Sequence, residues 1–464
     1  MRNSNSKHLL SVNKTILLII ATILLLSAKT ASSQQIANLD PLIIQGVSSL
    51  SADSIKNYVK DLLKFHTRHN LSSKNDQNIG IGAASNYIFN KINSFAKESG
   101  PEICVERIEY KAGGKGSRLG KEIVLSNIVA TIKGASTQDK RVIVLLAHYD
   151  NRIDNNNDST SFAPGANDNG SGVSALIEIA RVLSSYKLPL TIKLMFLSGE
   201  EHGLLGADHM AQIALNEKWD ILSVINNDMI GNSAASETDS RNNTMVRVFS
   251  ENIPALESEE MKRDRIFNSS ENDSPSRQLA RYIKETGERY VLNLNISLIY
   301  RNDRFGRGGD HTPFSKRGFT SVRICEYYEN YNRTHQPIIF KDGIQYGDLI
   351  DGVDFEYVRK NASANLATVM NLSLAPSVPV DVKIDLSTLS GETKITWKSP
   401  VTGKKPDAYY LLIRETDMSH WQKKILVKEN FVVVPLSRDN YFFAIQSVDN
   451  NGHESLPVFA TGTR

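Results

Sequence analysis

Residues 141–150 read RVIVLLAHYD and form an apolar run that ends in a histidine and an aspartate. Such a run, bounded by charge, is typical of a strand buried on both faces of a parallel sheet. In open α/β sheets, ligands bind in the loops that follow the carboxyl ends of the strands. His148 and Asp150 therefore lie where ligand-binding side chains are expected.

The chain around this run alternates between apolar runs and segments with helical spacing. Residues 104–110, 123–132, 190–197, 221–225 and 319–325 resemble strands, and residues 51–69, 83–96, 171–184, 204–215, 276–286 and 354–374 resemble helices. This alternation predicts an α/β domain with a mixed, mostly parallel central sheet flanked by helices. The long polar stretch 233–274 is expected to be an insertion or a mobile loop.

The composition changes at residue 375. Pro376 and Pro379 indicate a linker, and short strands follow at 380–386, 392–397, 409–415, 423–427, 431–435 and 441–448. This spacing predicts an all-β sandwich. With Trp397 on an early strand and residues 441–449 as the late strand, the stretch resembles a fibronectin type III module. We expect a signal peptide at 1–33, a catalytic domain at 34–375 and this module at 376–464.

The N-terminus has the pattern of a secretory signal. Basic residues precede an apolar run at 15–28, and the small residues 31–33 precede Gln34. The run is short for a membrane span, so we expect a secreted or periplasmic protein without stable membrane insertion, although an uncleaved anchor is the alternative. Cys104 and Cys325 could pair only if the fold brings them together. The net charge of +3, without a long basic stripe, argues against nucleic-acid binding.

Five short stretches place metal-ligand residue types after strand-like runs. They are residues 147–150, 167–170, 198–203, 227–231 and 309–311. Asp168 follows a glycine-containing turn, and because a carboxylate has two oxygens it can bridge two metal ions. This count assigns His148, Asp168 and Asp228 to one ion, and Asp168, Glu201 and His311 to the other. The mixed nitrogen and oxygen ligands suit zinc, although manganese or cobalt could occupy such a site.

Glu200 and Glu201 are adjacent acids at the end of an apolar strand. Neighbouring side chains point in different directions, so one can bind a metal while the other acts as the general base. The carboxylate of Asp150, two residues after His148, can fix the orientation of that imidazole.

The ordered motifs in residues 50–375 resemble the co-catalytic dizinc exopeptidase family. That family includes secreted bacterial leucine aminopeptidases, glutamate carboxypeptidase II and the single-zinc glutaminyl cyclases. The resemblance implies two zinc ions per chain, Glu200 as the general base, Glu201 as a ligand and Asp150 as the support of His148. It also implies that residues 326–335 line a substrate pocket.

Several functions remain open from the sequence. A zinc aminopeptidase is the leading interpretation; a carboxypeptidase or dipeptidase, a cyclase-like acyl transferase and an inactive binding or adhesion protein are the alternatives. Residues 301–309 are rich in arginine, which favours a solvated loop but could also hold a substrate carboxylate. The C-terminal module is expected to bind a surface, a polysaccharide or the catalytic domain itself.

Overall fold

The computed structural model describes residues 39–462, so the predicted signal peptide at 1–33 lies outside the described residues. Its centre is an eight-stranded sheet. In sheet order the strands are β1 (Ile103–Gly113), β2 (Glu122–Ile132), β4 (Thr191–Leu197), β3 (Val142–His148), β5 (Ile221–Asn227), β8 (Ser321–Glu326), β6 (Met245–Ser250) and β7 (Asn295–Ile299).

The middle of this sheet is parallel. Strands β4, β3, β5 and β8 run in the same direction, whereas β2 and β6 pair antiparallel to the strands at either side of that group. Every residue of β3 is buried, as the unbroken apolar run predicts. The predicted mixed sheet is therefore confirmed, and the carboxyl ends of its four central strands meet at one edge.

Helices cover both faces of the sheet. They are α1 (Pro41–Ser48), α2 (Ala52–Leu63), α3 (Gly80–Asn93), α4 (Gly170–Leu183), α5 (Leu205–Asn216), α6 (Glu259–Asn268), α7 (Pro275–Tyr290), α8 (His311–Lys316) and α9 (Phe355–Leu374). Along β3, Ile143 and Leu145 pack in the core formed with α4 and α9. Val144 and Leu146 face the opposite core with α5 and α8, so successive side chains of one strand supply two cores.

The polar stretch 233–274 is not a loop throughout. It contains β6, whose last residues are buried in the central sheet, and the exposed helix α6. The expectation of an insertion or mobile loop was wrong for β6, because its apolar segment is only six residues long and is surrounded by polar turns. A short hairpin, β9 (Phe340–Lys341) with β10 (Ile344–Gln345), and a 3₁₀ turn at Ile350–Gly352 precede α9.

The C-terminal strands form two four-stranded sheets. One contains β15 (Phe431–Val434), β12 (Thr393–Lys398), β11 (Val380–Ile384) and β18 (Thr461–Gly462); the other contains β14 (Lys423–Val427), β13 (Ala408–Glu415), β16 (Tyr441–Val448) and β17 (Val458–Phe459). Ile395 and Trp397 of the first sheet share a core with Leu411 and Phe443 of the second. This packing confirms the sandwich, while the fibronectin type III resemblance stays a prediction.

The sandwich contacts the α/β part through polar groups. Arg414 of β13 binds the carboxylate of Asp273 at 2.5 Å, and Arg281 of α7 binds the same carboxylate at 2.8 Å. Arg281 also donates to the carbonyl oxygen of Ser419. Cys104 and Cys325 are both free thiols, one exposed and one buried. Within residues 39–462, none of the helices has the combination of length and apolar character that a bilayer crossing requires.

Candidate metal centre

The carboxyl ends of the parallel strands supply most of the predicted site. His148 is the last residue of β3, Glu200 and Glu201 follow β4 after a short turn, and Asp228 follows β5 directly. Asp168 precedes α4, whose N-cap Asn169 accepts a hydrogen bond from the amide of Gly172. Because these strands are adjacent and parallel, their ends bring the side chains to one place.

Asp168 lies between two histidines. One oxygen, Oδ1, is 3.3 Å from His148 Nε2, and the other, Oδ2, is 3.0 Å from His335 Nε2. Asp228 Oδ1 is 3.6 Å from the same nitrogen of His148, and both oxygens of Glu201 are 3.0 Å from His335 Nε2. Three groups of described residues could each hold a metal ion. Two of them share the carboxylate of Asp168, namely His148, Asp168 and Asp228, and Asp168, Glu201 and His335; the third is His148, Glu200 and Glu201.

The structure does not bring His311, the histidine predicted from the motif order, into these groups. This residue begins α8, and its Nε2–H donates to the carbonyl oxygen of Asn302 at 2.8 Å, so that nitrogen is not available to a metal. No metal-binding group found among residues 39–462 contains it. The physical reason lies in the topology: His311 precedes β8, whereas His335 follows the carboxyl end of β8, as the other ligands follow β3, β4 and β5.

His335 was expected only as part of a pocket-lining segment. It lies in an irregular loop with a φ of 57°, so no periodic pattern marks it. The available signal was positional, since it is a histidine that follows β8. Arg152 contacts both His335 and its neighbour Glu201. Its Nε is 2.9 Å from Glu201 Oε2, and its Nη2 is 2.7 Å from His335 Nδ1. Arg152 was not among the predicted site residues either, because no motif includes it.

Asp150 orders the site mainly through its neighbours. His148 Nδ1–H donates to the backbone oxygen of Asp150 at 3.1 Å, and the nearest carboxylate oxygen is 3.6 Å away. The carboxylate instead accepts hydrogen bonds from Asn70 Nδ2 and from the amides of Glu200 and Glu201. Asp150 is thus placed to fix both His148 and the turn that carries the paired glutamates.

Glu200 lies beside the candidate ligands and faces the cleft. Burial raises the pKa of its carboxyl group well above the ordinary value, and the nearby carboxylates of Asp228 and Glu201 raise it further while His148 opposes them. A carboxylate in such surroundings holds a proton more readily than one in water, which suits a group that must take and return a proton.

The charges of the site fit a bound cation. Four acidic side chains, Asp168, Glu200, Glu201 and Asp228, line the same cleft. Arg323 compensates part of this charge, at 3.2 Å from Asp228 Oδ2. Both oxygens of the buried Asp310 lack a hydrogen-bond partner among the described residues, and burial raises its pKa to about 8. Buried carboxylates in excess of protein cations are costly unless a metal ion neutralises them, and these oxygen and imidazole donors suit zinc.

The arginine-rich loop 301–309 is not simply solvated. Arg304 is mostly buried and pairs with Glu329 at 2.7 Å and with Asp303 at 3.2 Å. Arg304 and Arg307 line the same cleft as the carboxylates of the metal centre. The volume of the cleft is about 400 Å³. The favoured expectation of a solvated loop therefore fails for Arg304, because buried acids hold its guanidinium in place.

Comparisons with known proteins agree with this site. The model of peptidase family M28 matches residues 127–346, the part of the chain that carries every candidate ligand. A probable zinc metalloprotease of Leptosphaeria maculans is 38% identical over 415 residues, which is 89% of this chain and 95% of that relative. The chain belongs to peptidase family M28. This M28 peptidase is a zinc metallopeptidase, a hydrolase of peptide bonds.

Further matches are consistent with the family. A probable zinc metalloprotease of Pyricularia oryzae is 38% identical over 408 residues, covering 86% of this M28 peptidase and 80% of the relative. The crystal structure of Legionella pneumophila LapA is 18% identical, with a TM-score of 0.50, covering 74% of this chain and 79% of that one. At this identity the likeness concerns the fold alone.

Proposed function

We propose that this M28 peptidase is an aminopeptidase with two zinc ions per chain. The observation that carries the proposal is the acidic end of the cleft, where a buried carboxylate bridges two histidines. Such an end attracts both divalent cations and the protonated amine of a peptide N-terminus. Asp168 would be shared, with His148 and Asp228 on one side and Glu201 and His335 on the other.

The residues of the chain then divide the chemistry. When bound, zinc supplies the Lewis acidity that activates water and polarises the scissile carbonyl group. The carboxylate of Glu200 takes the proton from the attacking water and returns it to the nitrogen of the leaving amine. Asp150 keeps Glu200 in position by accepting the hydrogen bond from its backbone amide.

Two measurements test this function. Metal analysis of the purified protein should give close to two zinc ions per chain, and a metal-free protein with full activity would refute the proposal. Hydrolysis of amino-acid anilides should exceed that of amino-blocked peptides. Cleavage of blocked peptides alone would instead establish a carboxypeptidase, the second candidate, which the arginines of the cleft favour. A cyclase-like transferase or an inactive binding protein would hydrolyse neither class.

Export and the role of the sandwich are further proposals. We infer from the basic and apolar segments before Gln34 that the protein is secreted or periplasmic, and the N-terminal sequence of material from an expressing host should begin near that residue. Binding of a surface or glycan by the C-terminal module should be detected as retention on that material, with the α/β part alone retained less.

A further inference from the structure

The cleft is lined by side chains of both charges. The acidic side chains of the metal centre are buried or half-buried, and the same cleft is lined by an arginine wall, the guanidinium groups of Arg118, Arg152, Arg304 and Arg307, of which the first and the last are exposed. We propose that this wall binds a carboxylate of the substrate, so that the enzyme prefers short peptides with a carboxylate close to the scissile bond. This inference rests on the proposed peptidase function and names its substrate class.

The four arginines come from separate parts of the chain. Arg118 lies in the connection between β1 and β2, Arg152 follows Asp150, and Arg304 and Arg307 lie between β7 and α8. Three segments that are distant in sequence thus bring guanidinium groups to one cleft. Gly306 and Gly308 flank Arg307 and also line the cleft, so bulky neighbours do not cover this side chain.

Two of the four arginines already have partners. Arg152 is held by Glu201 and His335, and Arg304 is held by Asp303 and Glu329. These contacts hold Arg152 and Arg304 in place, and they use groups that the protein itself supplies. Arg152 and Arg304 are therefore better suited to shape the electrostatic field than to form a new bidentate pair.

Arg118 and Arg307 are the groups free to bind a ligand. Both side chains are exposed, and neither forms an ion pair with any residue in the part of the chain that the structure describes. A guanidinium presents a planar set of donors that matches a carboxylate with two parallel hydrogen bonds. Unpaired arginines beside a catalytic cleft thus form a recognition site for an anionic group of the substrate.

The charge pattern orients a peptide. A short peptide at neutral pH has a cationic amine at one end and a carboxylate at the other, and the cleft offers buried acidic groups together with exposed arginines. A cleft of about 400 Å³ is in the size range of sites for small ligands. The carboxylate can come from the C-terminus of the peptide or from an acidic side chain, since both present the same group.

Matched substrates separate these sources. With the N-terminal residue that is cleaved fastest, a tripeptide with a free C-terminal carboxylate is compared with its amide, and a dipeptide amide ending in glutamate with one ending in glutamine. We expect kcat/KM to be about tenfold higher for the carboxylate member of at least one pair, mainly through KM, because a hydrogen-bonded charge pair has this magnitude. The preference should fall as ionic strength rises.

The double variant Arg118→Gln, Arg307→Gln tests the assignment to these residues. We expect its preference for the carboxylate member to fall to within about twofold of unity, whereas Arg263→Gln, at an exposed arginine on α6, keeps it. Equal rates for both members of each pair in the wild type, or an unchanged preference in the double variant, would overturn the inference. If the zinc-loaded wild type cleaves none of the peptides, the proposed function itself fails.

Discussion

The metal centre and the interface between the sandwich and α7 are both clusters of buried charged side chains, but they differ in the source of the positive charge. Where the sandwich meets α7, Asp273 lies between Arg281 and Arg414, and all three side chains are at most 2% exposed. Nearby, Glu454 pairs with Arg289 at 2.8 Å and with Lys424 at 2.7 Å. In this interface cluster the chain itself neutralises its buried carboxylates.

The metal centre is built in the opposite way. Among the described residues, the carboxylate of Asp168 contacts only the imidazoles of His148 and His335, Glu200 has a strongly raised pKa, and both oxygens of Asp310 lack a hydrogen-bond partner. A buried acid that the protein leaves uncompensated needs a cation from elsewhere, whereas a fully paired one is part of the architecture. Both are clusters of buried ionisable groups, but the metal centre is suited to bind a cation, whereas the interface cluster stabilises the fold.

The largest effect is expected at Glu200, the proposed general base. Glu200→Gln should lower kcat by about 10²–10⁴-fold, since general acid–base catalysis contributes this much, while zinc content and melting temperature stay the same. Steady-state kinetics with metal analysis measures both. Glu98→Gln, at an exposed acid of similar size, serves as the control. A rate within a few fold of the wild type would assign the proton transfer to another residue.

The second effect distinguishes the two histidines. His335→Ala should lower the affinity of the protein for one zinc ion by more than about 100-fold. That factor is the upper limit for residues that only support a ligand without binding the metal. His311→Asn should keep the zinc content, because that imidazole already donates to Asn302. Titration of the metal-free protein with zinc, together with circular dichroism to verify folding, measures this difference. The opposite pattern would restore the ligand set expected from the motif order.

These histidines show what the sequence can predict. The run of β3 is fully buried and apolar up to His148, and β4 and β5 are buried along their carboxyl-terminal halves, so the strands and the ligands at their ends could be predicted from pattern alone. His335 lies in a loop with left-handed backbone, where no periodicity applies. Its selection over His311 depends on the sheet order, which places β8 next to β5.

The contacts of the sandwich were equally hidden. Asp273 and Arg414 are 141 residues apart, and neither belongs to a motif. Local pattern predicted a sandwich because short strands follow one another at regular spacing, but only the folded chain shows that a buried ion pair connects it to the residues beside α7. Long-range pairs of single side chains carry no signal in one sequence.

The third prediction concerns this interface cluster. Asp273→Ala should lower the free energy of unfolding by about 3–5 kcal/mol, because it leaves the guanidinium groups of Arg281 and Arg414 buried without a partner. Denaturant unfolding measures the change, and Glu102→Gln, at an exposed pair with Lys133, should have no measurable effect. A free energy of unfolding within about 1 kcal/mol of the wild type would mean that the interface cluster does not connect the sandwich to the α/β part in solution.

The smallest expected effect is a dependence of stability on pH that arises from His453, the residue before Glu454 of the interface cluster. His453 Nδ1 is 2.7 Å from Asp449 Oδ2, and its Nε2 is 2.5 Å from Asp40 Oδ2. Burial opposes the charged imidazole, but the hydrogen bond and attraction of Asp449, joined by those of Asp40, raise its pKa above 6.5.

Since the folded pKa exceeds the unfolded value of 6.5, the stabilisation is fully present below pH 6.5 and is lost as the pH rises through the folded pKa. His453→Gln should remove roughly 1 kcal/mol at pH 6 and much less at high pH, because only the charged imidazole is stabilised by the carboxylates of Asp40 and Asp449. Unfolding curves between these limits measure the slope, with His420→Gln at an exposed histidine as the control. A variant that is destabilised equally at every pH would show that His453 acts by packing rather than through its charge.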